Sequence, residues 1–162
     1  MNTVIDIAHN AMRNESADTS EFVTMTIAGQ LFGIPVLQVQ DVLGPQRIAR
    51  IPMAPAWVAG VLNLRGRIVT AIDVRRRLGL PKLEAMGTEM SIVVDHNAEL
   101  YSLLVDEVGE VMVCRADRVA PNPPTLDPVW QEISKGIVQL SDRLMIILHV
   151  QRLFDLAHAA AA

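Results

Sequence analysis

The sequence predicts an all-β fold built from two related halves, and three observations carry that expectation. From residue 21 onward the chain runs as short segments rich in β-branched and aliphatic residues, each stopped by Gly, Pro, Asn or Asp, the spacing of a barrel or sandwich. Two of these segments recur later in the chain, in the same order and without gaps. Helix-forming stretches are confined to short pieces and the C-terminus.

The recurrence is specific enough to number. QLFGIPVLQVQDV at 30–42 lies on ELYSLLVDEVGEV at 99–111, placing Leu31 on Leu100, Phe32 on Tyr101, Val36 on Val105, Val39 on Val108 and Val42 on Val111. GVLNLRGRIVTAIDVRRRL at 60–78 lies on GIVQLSDRLMIILHVQRLF at 136–154, with Gly60 on Gly136, Leu64 on Leu140, Arg67 on Arg143 and Val74 on Val150. Apolar strands often match by chance, but two ordered, gap-free pairs predict two copies of one small β unit and hence two pseudo-symmetric barrels.

Element by element, residues 1–20 read as a mobile arm, because Ser16, Asp18, Thr19 and Ser20 form a loop-like cluster, and structure is expected from Glu21. EFVTMTIAG alternates, with Phe22, Thr24 and Thr26 on one face and Val23, Met25 and Ile27 on the other. PAWVAG at 55–60 is expected as a short helix. GVLNLRGRIVTAID, 60–73, is a hairpin with Arg65-Gly66 at its tip, followed by a short helix DVRRRLG that Asp73 caps. The only basic run, RRR at 75–77, reads as a solvated face. MSIVVDHNAELYSLLVDEV forms two strands joined by a DHNAE turn, with Asp106 and Glu107 a solvated strand end. APNPPTLDP at 120–128 is a rigid loop, PVWQEIS a short helix, and VQRLFDLAHAAAA a terminal helix favoured by its alanines.

The two copies differ at the second hairpin tip. Copy two has Ser141-Asp142, whose side chains satisfy a turn by local hydrogen bonds; copy one has Arg65-Gly66, where Gly66 can supply a positive φ and the turn does not need Arg65. Arg65 is then either a solvated loop residue or an anchor. A planar fork of donors between Leu64 and Ile68 suits a carboxylate or exposed carbonyls on a partner protein.

Composition narrows the function. The chain of 162 residues suffices for one domain or two subdomains sharing a core, and its formal charge of −4 argues against a nucleic-acid partner. Cys114 is the only cysteine, so no intramolecular disulfide forms, and it is expected as a small buried residue. The N-terminus lacks the continuous apolar run of a signal peptide, and stretches such as LMIILHV are too short to span a bilayer, so a soluble cytoplasmic protein is expected. His9 and His158 lie in the expected mobile ends, His96 in a turn and His149 at the position equivalent to Asp73, none at metal-ligand spacing. No HExxH, Walker A, GxSxG or GxGxxG motif occurs. A Cys114–His149 dyad is the one pairing left for catalysis, and a core cysteine beside a strand-end histidine is the simpler reading. Neither an enzyme, a metal site nor a cofactor is expected.

The segment from EFVTMTIAG through NLRG to DVRRRLGL resembles the N-terminal half of the CheW family of chemotaxis coupling proteins, and the likeness continues through SIVVDHNAELYSLLVDEVGEV, APNPP and SKGIVQLSDRLMIILHVQRLF. It covers about 21–156, leaving 1–20 as the arm and 157–162 as a tail. Thr70 stands where that family usually has proline, and Met53 where it often has Asn. The resemblance implies two five-stranded SH3-like barrels packed on a shared hydrophobic core. It also implies a non-catalytic adaptor, recruited to membrane-associated receptor arrays without inserting into the bilayer. Such an adaptor links the cytoplasmic hairpin of chemoreceptors to the histidine kinase CheA, whose regulatory domain has the same fold. Receptor binding would use a groove between the barrels, with Arg65 as polar anchor and Val39, Asp41, Gly60 and Val108 in support; the kinase contact would be apolar and built from barrel-end loops. Two alternatives stand beside this reading: a coupler for a chemosensory system controlling pili or second messengers, and a small-molecule-binding double barrel, which would need a deep pocket with convergent polar groups.

Overall fold

The computed structural model describes residues 18–81 and 89–161. Its first half opens with a hairpin, β1 (Thr19–Ile27) and β2 (Gln30–Pro35), that turns on Ala28 and Gly29, both with positive φ. A 3-10 turn at Val36–Gln38 leads into β3 (Val39–Leu43). A second hairpin joins β4 (Val58–Leu64) to β5 (Arg67–Asp73) and runs into the one-turn helix α1 (Val74–Arg77). The second half repeats the order with β6 (Met90–His96), β7 (Glu99–Val105), β8 (Glu107–Arg115), a 3-10 turn at Ala116–Arg118 and the two-residue β9 (Val119–Ala120). After the short α2 (Pro128–Ile133) come β10 (Ser134–Gln139), β11 (Leu144–Leu148) and α3 (Val150–Ala161).

Strands do not stay with their own half. One sheet runs β8-β1-β2-β11-β10-β9 and the other β3-β6-β7-β5-β4, so each takes its first hairpin from one copy and the remaining strands from the other. Two parallel pairs make the exchange. In one, Phe32 of β2 faces Ile146 of β11; in the other, Tyr101 of β7 faces Thr70 of β5. The sequence repeat places Phe32 on Tyr101 and Ile146 on Thr70, so the register of the fold agrees with the repeat residue for residue. Register shifts coincide too, at Val58/Gly60 and at Ser134/Gly136. The five-stranded sheet has a counterpart of β9 as well, a single bridge from Ala49 to Val61.

Three apolar clusters follow from this weave. The shared core draws Val23, Met25 and Ile27 from β1 and Ile92 and Val94 from β6, so it lies between the sheets. Met112 and Cys114 of the edge strand β8 meet Val119 of the opposite edge around Phe22, Val138 and Met145. A sheet whose two edges reach one cluster has curled upon itself, as a barrel does. Leu62, Val69 and Ala71, with Leu43 of β3 packed on them, are the equivalent in the five-stranded sheet. The alternation read in EFVTMTIAG therefore sorts its side chains between two cores, Phe22 into its own sheet's cluster and Val23, Met25 and Ile27 into the shared one.

Several local expectations need correction. PAWVAG is a turn followed by strand: the Val58 amide donates to the Pro55 carbonyl at 2.9 Å, β4 starts at Val58, and Gly60 has φ 148°, outside any helix. β1 starts at Thr19, two residues before the expected Glu21; residues 1–17 of the expected arm, His9 included, lie outside the described residues. The expected tail continues the backbone of α3 as far as Ala161.

The RRR run is a solvated face only at Arg76, and of the pair Asp106 and Glu107 only Glu107 is a solvated strand end. Arg75 Nε and Nη2 donate to the Asp106 carboxylate at 2.7 and 2.6 Å, each side chain only 16% exposed, and the Ala28 amide donates to the same carboxylate at 2.8 Å. Arg77 Nε donates to the Leu153 carbonyl at 3.2 Å, which ties α1 to α3. Burial alone would push the Asp106 carboxyl up, but the hydrogen bonds from Arg75 and Ala28 outweigh it and hold the group below its ordinary range.

Candidate functional site

Arg65 and Gly66 close the β4–β5 hairpin in two residues, with φ of 51° and 85°. That is the type I′ pattern, which requires positive φ at both positions because its twist matches that of the flanking strands. Arg65 is therefore part of the turn, contrary to the expectation that Gly66 alone supplies it, and it occupies a conformation that a residue with a Cβ adopts at some cost. Asn63 supports the tip by accepting the Gly66 amide on Oδ1 at 2.8 Å. Asn side chains favour local hydrogen bonds to nearby backbone amides, and Asn63 is the one local clue to this support in the sequence.

From that tip the Arg65 side chain projects with 82% of its surface exposed, and its Nη2 lies 3.1 Å from Asp41 Oδ2 on β3. Asp41 is three-quarters covered; its Oδ1 accepts from the Val42 amide at 2.9 Å, while the buried Oδ2 meets the guanidinium without hydrogen-bond alignment. Because its arginine end is open to solvent, the pair contributes about 0–1 kcal/mol to stability. Its effect is on geometry: one donor edge of the fork is oriented by Asp41 and the rest stays free for a partner.

The other expected site residues are placed differently. Val39 and Val108 are half-buried at equivalent positions in the two sheets, opposite Val94 and Met25, and both pack on the rim of the shared core. Gly60 is buried in β4: an added Cβ would sit 2.1 Å from the Ala49 carbonyl oxygen, so what Gly60 supplies is the close crossing of two backbones. The structure thus brings Arg65 and Asp41 into contact, sets Val39 on the same strand as Asp41, places Val108 on β8 of the other sheet, and keeps Gly60 underneath.

Along β8 runs a groove of about 650 Å³ lined by Thr24, Thr26, Leu31, Val108, Val111 and Arg143. A second hollow, about 530 Å³, lies at the end of the six-stranded sheet among Phe22, Val36, Leu37, Val119, Lys135 and Ile147, with Leu37 95% exposed. Nothing in the local sequence marks Leu37 as exposed, since it sits inside an apolar run.

The titratable residues weighed for chemistry have structural tasks. His149 Nδ1 accepts from the Arg152 amide at 3.4 Å, the same cap that Asp73 gives the Arg76 amide at 3.2 Å at the equivalent place. His96 ends β6 rather than sitting in a loop; it is 8% exposed and stacks on Phe154 with ring centroids 4.3 Å apart. Cys114 is half-buried, and burial pushes its thiol up despite the opposing charge of Arg118. Among the described residues no three His, Cys, Asp or Glu side chains gather as a metal site would require.

Comparison with known proteins agrees with this architecture. The chain is 29% identical to the chemotaxis protein CheW of Klebsiella aerogenes over 135 residues, covering 83% of this chain and 81% of that one. It is 26% identical over 125 residues to the protein PilI of Pseudomonas aeruginosa, covering 77% of this chain and 70% of the relative. Its structure resembles the crystal structure of the scaffolding protein TtCheW from Thermoanaerobacter tengcongensis, with a TM-score of 0.75 and 29% identity over 84% of this chain and 92% of that one. A family model, the CheW-like domain, matches residues 21–158. The repeated strand order, the exchanged sheets and that match, which spans most of the chain, lead to one conclusion: the chain belongs to the CheW-like domain family.

Proposed function

We propose that this protein is a non-catalytic adaptor that couples the cytoplasmic hairpins of chemoreceptors to the histidine kinase CheA. The observation that carries the reading is the hairpin tip, where the exposed Arg65 is oriented by Asp41 and backed by a rigid two-residue turn. A preset planar fork recognises a carboxylate or a row of carbonyls with little loss of side-chain freedom. Val39 and Val108 add apolar contact at the rim of the shared core, and Gly60 holds β4 in place beneath the tip.

The kinase contact belongs on the apolar hollow beside Leu37, at the end of the six-stranded sheet. Two partners on separate faces of one body raise each other's effective concentration, and a signal passes as a shift between preferred geometries. Among the described residues no helix is long and apolar enough to cross a membrane, in keeping with a cytoplasmic adaptor recruited to receptor arrays. The likeness to PilI supports a second reading, in which the same adaptor serves a chemosensory system for pili or second messengers.

Titrating the purified chain separately against a receptor hairpin fragment and the CheA regulatory domain tests the proposal. Both should bind, and each should bind in the presence of the other. Binding to neither would refute it.

A further inference from the structure

We propose that the N-terminal segment of this chain, residues 1–17, docks back over the apolar hollow beside Leu37 and holds it closed until CheA displaces it. The competition with CheA rests on the kinase contact proposed above; the docking itself does not.

The hollow is open at a place that the other half of the molecule covers. The repeat puts Leu37 on Asp106. The Asp106 side chain is 16% exposed because Arg75 lies across it, whereas Leu37 is 95% exposed. Gln151 repeats Arg75, and its side chain donates to Asp155 on its own helix at 2.8 Å. Arg75 also holds a second group: its Nη1 donates to the Pro81 carbonyl at 2.9 Å, which draws the chain on its way into β6 against the Asp106 position. By the same repeat, Pro81 corresponds to Met12. The second half therefore seats a connecting segment where, in the first half, the chain leading into β1 would lie.

Connectivity brings that segment to the hollow. Ser20, Glu21 and Phe22 of β1 form one of its walls, and the Ala116 amide fixes the strand's entrance by donating to the Asp18 carbonyl at 2.8 Å. Residues 13–17 span up to about 17 Å when extended, enough to carry the residues before them over Leu37 from a start at Asp18. The sequence supplies the apolar face. Met1, Val4, Ile5, Ala8, Ala11 and Met12 recur at helical spacing, with Ile7 alone of the long aliphatics off the stripe, and Thr3 with Asp6 three residues on has the pattern of a capping box at its head. So short a helix is marginal in water alone and gains its stability where the stripe is buried. Phe22, Val36, Leu37 and Ile147 offer that burial. A segment tethered at the rim meets the hollow at an effective concentration on the order of millimolar, so even a weak contact keeps it covered.

Heteronuclear NMR of the full chain tests the docking. Ile5→Asp puts a charge on the stripe, and Asn10→Asp puts one on the opposite face as a control. Ile5→Asp should shift the amide resonances of Leu37, Val119 and Lys135 and leave those of Val108 and Val111 on β8 in place; Asn10→Asp should move none of them. Hollow resonances unmoved by Ile5→Asp overturn the proposal. So do shifts that disappear on dilution, which would make the occupant a second copy of the chain. Titration with the CheA regulatory domain reads the competition. With the hollow closed in about nine molecules of ten, Ile5→Asp should bind that domain about ten-fold more tightly than the unmodified chain. Equal affinity in a variant whose hollow resonances have moved overturns the competition and puts the kinase contact elsewhere. If neither form binds CheA, the coupling function itself fails, while the resonance shifts still decide the docking.

Discussion

Replacing Gly60 by alanine separates two explanations of that residue, as a contact for a receptor or as the place where two backbones cross. The new Cβ would lie 2.1 Å from the Ala49 oxygen, 2.8 Å from the Ala49 carbonyl carbon and 2.8 Å from Ile48 Cγ2, on a residue with φ of 148°. Holding alanine at such a φ costs about 1–3 kcal/mol. Relieving the clash means moving Ala49 away from Val61, which breaks two backbone hydrogen bonds of 2.8 Å each, worth about 1 kcal/mol apiece. The sum is about 3–5 kcal/mol, a shift of roughly 6–20 °C in melting temperature for a chain of this size. Two companion variants divide the cost. Gly66→Ala has φ of 85° and nothing within 4 Å, so it should lose only the conformational part, about 1 kcal/mol; Gly136→Ala, 2.9 Å from the Ala120 oxygen, should fall between, at about 2–3 kcal/mol. Chemical denaturation followed by circular dichroism gives the three values. A Gly60→Ala midpoint close to that of the unmodified protein would refute the crossing explanation, and lost receptor binding in that stable variant would make Gly60 a contact residue.

Arg65→Ala should change stability by less than about 1 kcal/mol, because the arginine end of the pair is open to solvent and Asp41 keeps the Val42 amide, while receptor affinity falls on the order of ten- to hundred-fold and CheA binding is kept; separate titrations check each part. Asp106→Ala leaves Arg75 and the Ala28 amide without their acceptor at a half-buried site, and should cost about 2–4 kcal/mol by denaturation. The same carboxyl makes stability pH-dependent: its folded pKa is depressed, so its contribution is whole above the unfolded Asp value of about 3.9 and disappears as pH falls through the lower folded value. Melting curves from pH 5 downward should therefore show a steeper loss in the parent than in Asp106→Ala. Cys114, with its thiol pushed up and half-covered, should react with a thiol reagent at pH 8 well below the rate of a free cysteine, and unfolding should remove the difference.

The fold was legible in the sequence because repetition is an internal control. Leu31 on Leu100 and Gly60 on Gly136 are matches that need no knowledge of distance, and the structure places both members of each pair in equivalent registers, Leu31 opposite Thr26 and Leu100 opposite Asp95. What the repeat could not say is which copy each strand joins. Strand exchange leaves the order of residues unchanged, and β2 pairs with β11, more than a hundred positions away. PAWVAG has the composition of a helical turn; the crossing with Ala49, where Gly60 takes its positive φ, is a tertiary demand that composition does not record. At the candidate site, the oddity of Arg65 was plain from the contrast with Ser141, whereas its contact with Asp41 and the clamp from Arg75 to Asp106 join residues too far apart for any local pattern to show.

The exchange of strands also means that the molecule has no separable half. A cut between α1 and β6 would leave an N-terminal fragment holding β1 and β2 of one sheet and β3, β4 and β5 of the other, and a C-terminal fragment holding the complement. Neither piece contains a complete sheet, and each offers the edges that the other lacks. Unfolding should then be a single event for the whole chain, and the two fragments should stay apart as loose polypeptides until mixed, when each closes the other's sheets. If the body holds two partners at a fixed spacing, as proposed above, this interdependence removes the hinge that two ordinary barrels joined by a linker would have.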